Sequence, residues 1–309
     1  MLDSLHIQNY RLFKDLKIDK LGQVNLISGK NNCGKTALLE ALQILISKGD
    51  VVPNILRKRN AYEKNDFDTC RTLFRDFDEK RQIKINNLNL YLENRKDFRL
   101  TLKEYFKNGK LKKEYYWASG LLSKNDVLDT EGLILIPFLG EMKYDGWEDL
   151  EIEQEEQVNR ILQFVEPKVI DFRIGQSGKP VLRLNGFRNR QPIEILGDGA
   201  NRLFMIAYAL VNSKNKILLI DEFEVGLHHS VQKQLWEIIF KYAKEWNIQV
   251  FVTTHSLDTV RSFSEVSDKN EGMGEFMRLQ KSRMTGEIEA VVYSKKSLDY
   301  AIEDSLEMR

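Results

Sequence analysis

Eight residues, Gly29-Lys30-Asn31-Asn32-Cys33-Gly34-Lys35-Thr36, constrain this chain more than any other stretch. They match G-x-x-x-x-G-K-[ST], the phosphate-binding P-loop. Upstream, Val24-Asn25-Leu26-Ile27 is a short β-prone run. Downstream, residues 37–46 have almost no polar face, which predicts a buried helix. Strand, glycine-bearing loop and buried helix together form the P-loop unit. Gly29 and Gly34 let the backbone curl so that successive N–H groups face one concavity. The following helix aims its positive end at the same place. Lys35 can reach the β- and γ-phosphates, and the Thr36 hydroxyl can ligate Mg²⁺. The whole stretch, with Lys30, Asn31, Asn32 and Cys33, is therefore expected to bind a nucleotide.

The chain has 309 residues, enough for one large domain or two ordinary ones. Formal charge is balanced at +1, so no global field argues for nucleic acid or membrane. The longest apolar run, residues 203–211, is far short of the ~18 residues of a membrane span. The N-terminus carries no signal-peptide pattern. The two cysteines, Cys33 and Cys70, have no metal spacing, and a reducing cytoplasm is expected.

In chain order, residues 5–10 alternate like a strand, and residues 11–18 continue in that style after a kink. Gly49-Asp50 ends the P-loop helix, and Pro53 helps to stop it. Residues 82–93, 98–106 and 112–118 read as strands, the last two joined by the hairpin signal Asn108-Gly109. They predict an antiparallel side-sheet inserted after the first helix. Its basic residues, such as Arg95, Lys96, Arg99, Lys110, Lys112 and Lys113, are interleaved with acids, which favours a solvated face over a phosphate-binding one. Residues 133–137 form a short strand, and an acid-rich helix opens near Glu148 and runs to Phe164. Residues 169–174 and 181–184 suggest a hairpin, followed by a helix from the Leu196–Arg202 region to Val211. A strand over 216–220, a helix over 232–246 and a strand over 249–254 come next. A hairpin around Gly286 and a helix over 297–307 close the chain. Apolar strands alternating with helices imply a mostly parallel central sheet. The fold class is α/β, with an added antiparallel β subdomain and a helical subdomain. Four stretches are expected: a P-loop lobe (1–50), the side-sheet (51–130), a helical lobe (131–212) and a C-terminal stretch (213–309).

Ligands of open α/β sheets bind at the carboxyl ends of the strands. Two further strand ends carry chemistry. Lys216-Ile217-Leu218-Leu219-Ile220 runs into Asp221-Glu222, which reads as Walker B. Asp221 would hold Mg²⁺, and Glu222 would orient or deprotonate the attacking water. His255 follows a second apolar strand and could sense or polarise the γ-phosphate. His228-His229 does not suggest a metal site, because adjacent side chains are expected to point apart.

These residues carry a resemblance. The chain resembles the ABC-type ATPase heads of the SMC/RecF/OLD group, especially the small AAA-15/AAA-21-type ATPases. The similarity rests on Ile7-Gln8-Asn9-Tyr10-Arg11-Leu12-Phe13-Lys14, on Gly29 to Thr36 followed by Leu38-Leu39-Glu40-Ala41, on Ile220 to His228, and on Thr254-His255-Ser256. It implies a P-loop NTPase with an ABC-type head. It also implies two heads that sandwich ATP, in a homodimer or larger homo-oligomer. Arg11 and Gly199 then join the nucleotide contacts. Leu196-Gly197-Asp198-Gly199 stands where the family has L-S-G-G, with Gly197 for Ser and Asp198 for Gly. Phe223 replaces the usual proline after Asp-Glu. Neither coiled-coil heptads nor a following Toprim nuclease segment is read.

The leading function is an ATP-driven switch coupled to a partner protein, such as a nuclease effector, or to DNA. Anti-phage defence or DNA repair is the setting that the resemblance implies. The alternatives are the ATPase subunit of an ABC transporter and a P-loop small-molecule kinase. The altered signature and the Asn9-Tyr10-Arg11-Leu12-Phe13 opening argue against the transporter. Glu222 and His255 suit water attack better than transfer to an acceptor.

Overall fold

Leu5, Ile7 and Tyr10 are buried in Leu5–Tyr10, and Phe13, Leu16 and Ile18 in Phe13–Ile18, so both segments fold as strands that bury their apolar residues and leave the polar ones outward. The computed structural model describes residues 1–49, 51–59, 70–93, 99–105, 109–117, 133–136, 150–175, 179–193 and 197–303. Its elements begin with β1 (Leu5–Tyr10), β2 (Phe13–Ile18), β3 (Val24–Ser28), α1 (Lys35–Ile46) and α2 (Val52–Arg59). Strands β4 (Ile83–Ile85), β5 (Leu88–Glu93), β6 (Arg99–Tyr105), β7 (Leu111–Trp117) and β8 (Leu133–Ile136) follow. Then come α3 (Ile152–Val165), β9 (Val169–Ile174), β10 (Pro180–Leu184), β11 (Gln191–Pro192) and α4 (Asp198–Asn212). The chain continues with β12 (Ile217–Ile220), α5 (His229–Glu245), β13 (Gln249–Thr254) and α6 (Leu257–Ser267). It closes with β14 (Gly274–Lys281), β15 (Ile288–Tyr293) and α7 (Lys295–Glu303).

The chain divides into two units. The first comprises Met1–Leu21, Gly29–Leu133 and Met277–Val292. Its sheet is antiparallel, in the order β2-β1-β4-β5-β6-β7. The side-sheet expected from sequence is therefore an extension of the β1–β2 hairpin. The kink expected near Arg11 is that hairpin's turn, and Tyr10 pairs with Phe13 across it. Arg11 adopts the left-handed conformation there, with φ 51°. Residues 82–93 are two strands rather than one. The chain reverses at Asn86-Asn87, with Asn86 at φ 50°, and β4 pairs with β5. Asparagine tolerates this region better than most residues. Acids do answer the basic residues: Lys112 pairs with Glu104 at 2.8 Å and Lys103 with Glu114 at 3.3 Å. Arg95, Lys96 and Asn108 lie outside the described residues.

Helix α1 is buried along nearly its whole length, as its sequence predicts, and it takes Glu40 and Gln43 inside with it. Pro53 does not stop α1. It occupies the first turn of α2, where a missing N–H costs nothing.

The second unit comprises Gly22–Ser28, Ile134–Phe276 and Tyr293–Arg309. Its sheet centres on β3, β13 and β12, which pair in parallel, with β8 beside β12. All six residues of β13 and all five of β3 are buried, so neither strand has a solvated face, and the polar residues Asn25, Ser28, Gln249, Thr253 and Thr254 are enclosed with the apolar ones. Helices α3, α4, α5 and α6 contribute the rest of one core, including Phe204, Trp236, Phe240 and Phe263. Helix α3 begins with a capping box between Glu151 and Gln154. Glu148 and Asp149, where the acidic helix was expected to open, lie outside the described residues. The hairpin β9–β10 forms as read, with β11 beside it.

Candidate active site

The P-loop leaves the carboxyl end of β3. In the register of the parallel sheet, Ser28 at that end stands opposite Thr254 of β13. Within the first unit, the loop is organised by its lysine. The Lys35 ammonium lies 2.7 Å from the Gly29 carbonyl oxygen and 3.1 Å from that of Lys30. The side chain is thereby folded back over the loop in which it sits. Lys30, Asn31, Asn32 and Thr36 are exposed, and Asn32 is left-handed at φ 64°. Cys33 is buried beneath the loop, and burial pushes its thiol up. Gly34 begins α1 at φ 99°, and a Cβ there would lie 2.7 Å from the Phe13 ring. Glycine is the residue this close, left-handed position admits. No side chain caps the start of α1 and no acid lies in its first turn, so its amide end suits an anionic phosphate.

Arg11 supports the helix behind the loop. Its guanidinium lies 2.7 Å from Glu40 Oε2, with both side chains nearly buried. It also donates to the Tyr10 hydroxyl at 3.2 Å and to the Thr72 carbonyl at 3.1 Å. Burial opposes its charge, but Tyr10 and Glu40 outweigh that and raise its pKa above the ordinary range.

The strand-end half belongs to the second unit. Asp221 follows β12 and is 7% exposed. The Thr253 hydroxyl donates to Asp221 Oδ1 at 2.6 Å and accepts the Glu222 N–H at 2.8 Å. Glu222 adopts φ 49°, a strained conformation for a residue that is not glycine. Buried Arg202, on α4, donates to the carbonyl oxygens of both Asp221 and Glu222. Burial lowers its pKa, against the pull of Asp221, Glu224 and Glu222. Phe223, in place of the family's proline, is fully buried and stacks on Trp236 at 4.5 Å. At the end of β13, His255 Nδ1 lies 3.0 Å from Glu224 Oε1, and its imidazole is 45% exposed.

Residues 75–261, more than half of the chain, match the family described as "AAA domain, putative AbiEii toxin, Type IV TA system". The chain belongs to this AAA family. Residues 1–126 match a second family, "AAA ATPase domain". The protein is an AAA-type ATPase. It is 24% identical over 333 residues to the "ATP/GTP phosphatase" of Helicobacter pylori, covering 86% of this chain and 88% of that protein. A 73-residue stretch is 34% identical to the "OLD nuclease" of Thermus scotoductus, covering 24% of this chain and 13% of that protein. Two solved SMC heads share the fold at 14% identity. The head from Thermotoga maritima has TM-score 0.53, covering 95% of this chain and 99% of its own. The head bound to the C-winged helix domain of ScpA has TM-score 0.57, covering 97% and 99%. The fold of the AAA ATPase is that of an ABC-type head, with a P-loop and a mostly parallel central sheet.

Sequence reasoning passed over Thr253, Glu224 and Arg202, which hold the strand-end residues. A polar pair closing an apolar strand, Thr253-Thr254, was the available signal for the first of them. Glu224 was visible as a second acid two residues beyond Glu222. The expectation that His228 and His229 point apart is corrected. Their ring centroids are 4.1 Å apart, because the chain turns into α5 there and strand alternation does not apply. His228 caps that helix by accepting the Ser230 N–H. Leu196 lies outside the described residues. Gly199 sits in the first turn of α4, and a Cβ there would lie 2.5 Å from the Gly226 carbonyl oxygen.

Proposed function

We propose that this ATPase binds Mg-ATP on residues 29–36 and hydrolyses it with Glu222, aided by His255. The reading is carried by the Asp221-Glu222 pair, pinned by Thr253 and Arg202 at the carboxyl end of β12. That end lies on the sheet edge from which β3 leads into the P-loop. Thr36 and Asp221 supply hard oxygen donors of the type that Mg²⁺ prefers. Held by these residues, Mg²⁺ would supply charge neutralisation at the phosphates. Lys35 and the amide end of α1 bind phosphate. Glu222 takes the proton of the attacking water, and His255 faces the γ-phosphate. Arg11 steadies α1 through Glu40.

Hydrolysis drives a switch in which two heads sandwich ATP, with Gly199 and the region around it completing the opposing site. The switch acts on a partner protein. The relative named a nuclease and the family described by a toxin system support an effector in anti-phage defence. DNA is the alternative recipient, and DNA repair the alternative setting.

Glu222→Gln tests the central assignment. It is expected to retain ATP affinity by calorimetry while turnover falls roughly 100-fold or more, since an amide cannot take the proton. Turnover at the parent rate would place the base elsewhere.

A further inference from the structure

Glu224 follows Glu222 on the turn beyond β12, and its side chain is 11% exposed. A buried carboxylate needs donors, and this one takes two hydrogen bonds and a close imidazole nitrogen from a single neighbouring stretch. The Thr254 hydroxyl donates to Oε2 at 2.7 Å. The His255 backbone N–H donates to Oε1 at 2.8 Å, and His255 Nδ1 lies 3.0 Å from the same oxygen. The Thr254 hydroxyl in turn accepts the Ser256 N–H at 3.0 Å, which braces the turn into α6.

We propose that Glu224 is the positioning residue of His255, fixing both the orientation of the imidazole and its tautomer. An ionised carboxylate only accepts hydrogen bonds, so the ring nitrogen facing it must carry the proton. Neutral His255 is then the Nδ1–H tautomer, and Nε2 holds the lone pair. The backbone N–H on the same oxygen ties the carboxylate to the strand end, so the imidazole cannot swing away without leaving Glu224. This role rests on the reading of His255 as a group acting on the γ-phosphate. It divides the two glutamates of Asp221-Glu222-Phe223-Glu224 between chemistry and alignment.

Two measurements test it. Nitrogen-15 NMR of the imidazoles in the full chain is expected to show His255 protonated on Nδ1. Glu224→Ala is expected to shift it to the Nε2–H form, and Glu224→Gln, which keeps an acceptor oxygen, to retain the parent form. An Nε2–H tautomer in the parent protein, or one unchanged by Glu224→Ala, overturns the proposal. The second measurement is a double-mutant cycle on steady-state turnover. Glu224→Ala alone is expected to lower kcat about tenfold with little change in KM, and to have no further effect once His255 is alanine. A full additional loss in the His255→Ala background would mean that Glu224 acts without His255, which also overturns it. If His255→Ala leaves kcat unchanged, the reading of His255 in hydrolysis fails, and the NMR result still decides whether Glu224 sets the tautomer.

Discussion

The Thr253 hydroxyl touches both acids of the strand end, donating to one carboxylate and accepting from the other's backbone. Thr253→Val keeps the shape and removes both bonds. A buried group left without its partner costs about 1–3 kcal/mol. A urea melt is expected to show that loss, and turnover is expected to fall with it, because the Asp221 carboxylate loses its fixed orientation. Unchanged turnover would mean that Arg202 alone holds this segment. The Arg11–Glu40 pair answers the same logic more strongly. Both side chains are nearly buried, so Glu40→Gln leaves a guanidinium short of its counter-charge. Breaking a buried pair typically costs about 3–5 kcal/mol, and the urea midpoint is expected to drop accordingly. A midpoint within error of the parent would show that Tyr10 and the Thr72 carbonyl suffice for Arg11.

The elements legible in the sequence are those whose apolar pattern matches their burial. Strand β12 is an uninterrupted apolar run, β3 and β13 are built on short apolar runs, and α1 has almost no polar face, so each could be placed beforehand. What escaped notice depends on single residues in unusual conformations. Arg11 and Asn86 take positive φ without being glycine, and each reverses a strand that otherwise reads as continuous. Pro53 was read as a stop when its place is the first turn of α2. Helix α6 was not anticipated at all. Its N-cap, Ser256, was absorbed into the motif Thr254-His255-Ser256, although the Thr259 N–H donates to its side chain. The strand-end hydrogen bonds were illegible for another reason: they join residues about thirty apart, such as Thr253 and Asp221. One element-scale contact gives a direct test. The first turn of α4 meets the Gly226 carbonyl so closely that Gly199→Ala must push them apart. Overpacking of this kind costs about 1–3 kcal/mol, and a lower Tm is expected. An unchanged Tm would mean that the turn at Gly226 yields freely.

At the scale of the whole molecule the question is whether ATP drives two copies of the chain together. The Leu196–Gly199 region would complete the opposing site, and substitution at Gly199 is an unsuitable probe of that idea. Any side chain there strikes the Gly226 carbonyl within its own head before it could reach another. Asp198 offers a cleaner test, because it is exposed at the start of α4. Asp198→Arg reverses a charge at the surface intended for the second head and costs the helix only about 0.3–1 kcal/mol. The substitution Glu222→Gln should trap the ATP-bound state by slowing hydrolysis. Light scattering of that variant with Mg-ATP is expected to show a mass above the 36.2 kDa of one chain, moving to a dimer or larger assembly. Adding Asp198→Arg is expected to abolish the shift while calorimetry still finds ATP bound. With Glu222 intact, hydrolysis per chain should rise with protein concentration, and Asp198→Arg should flatten that dependence. A monomer under every condition, with a rate per chain independent of concentration and of Asp198→Arg, would confine hydrolysis to a single head.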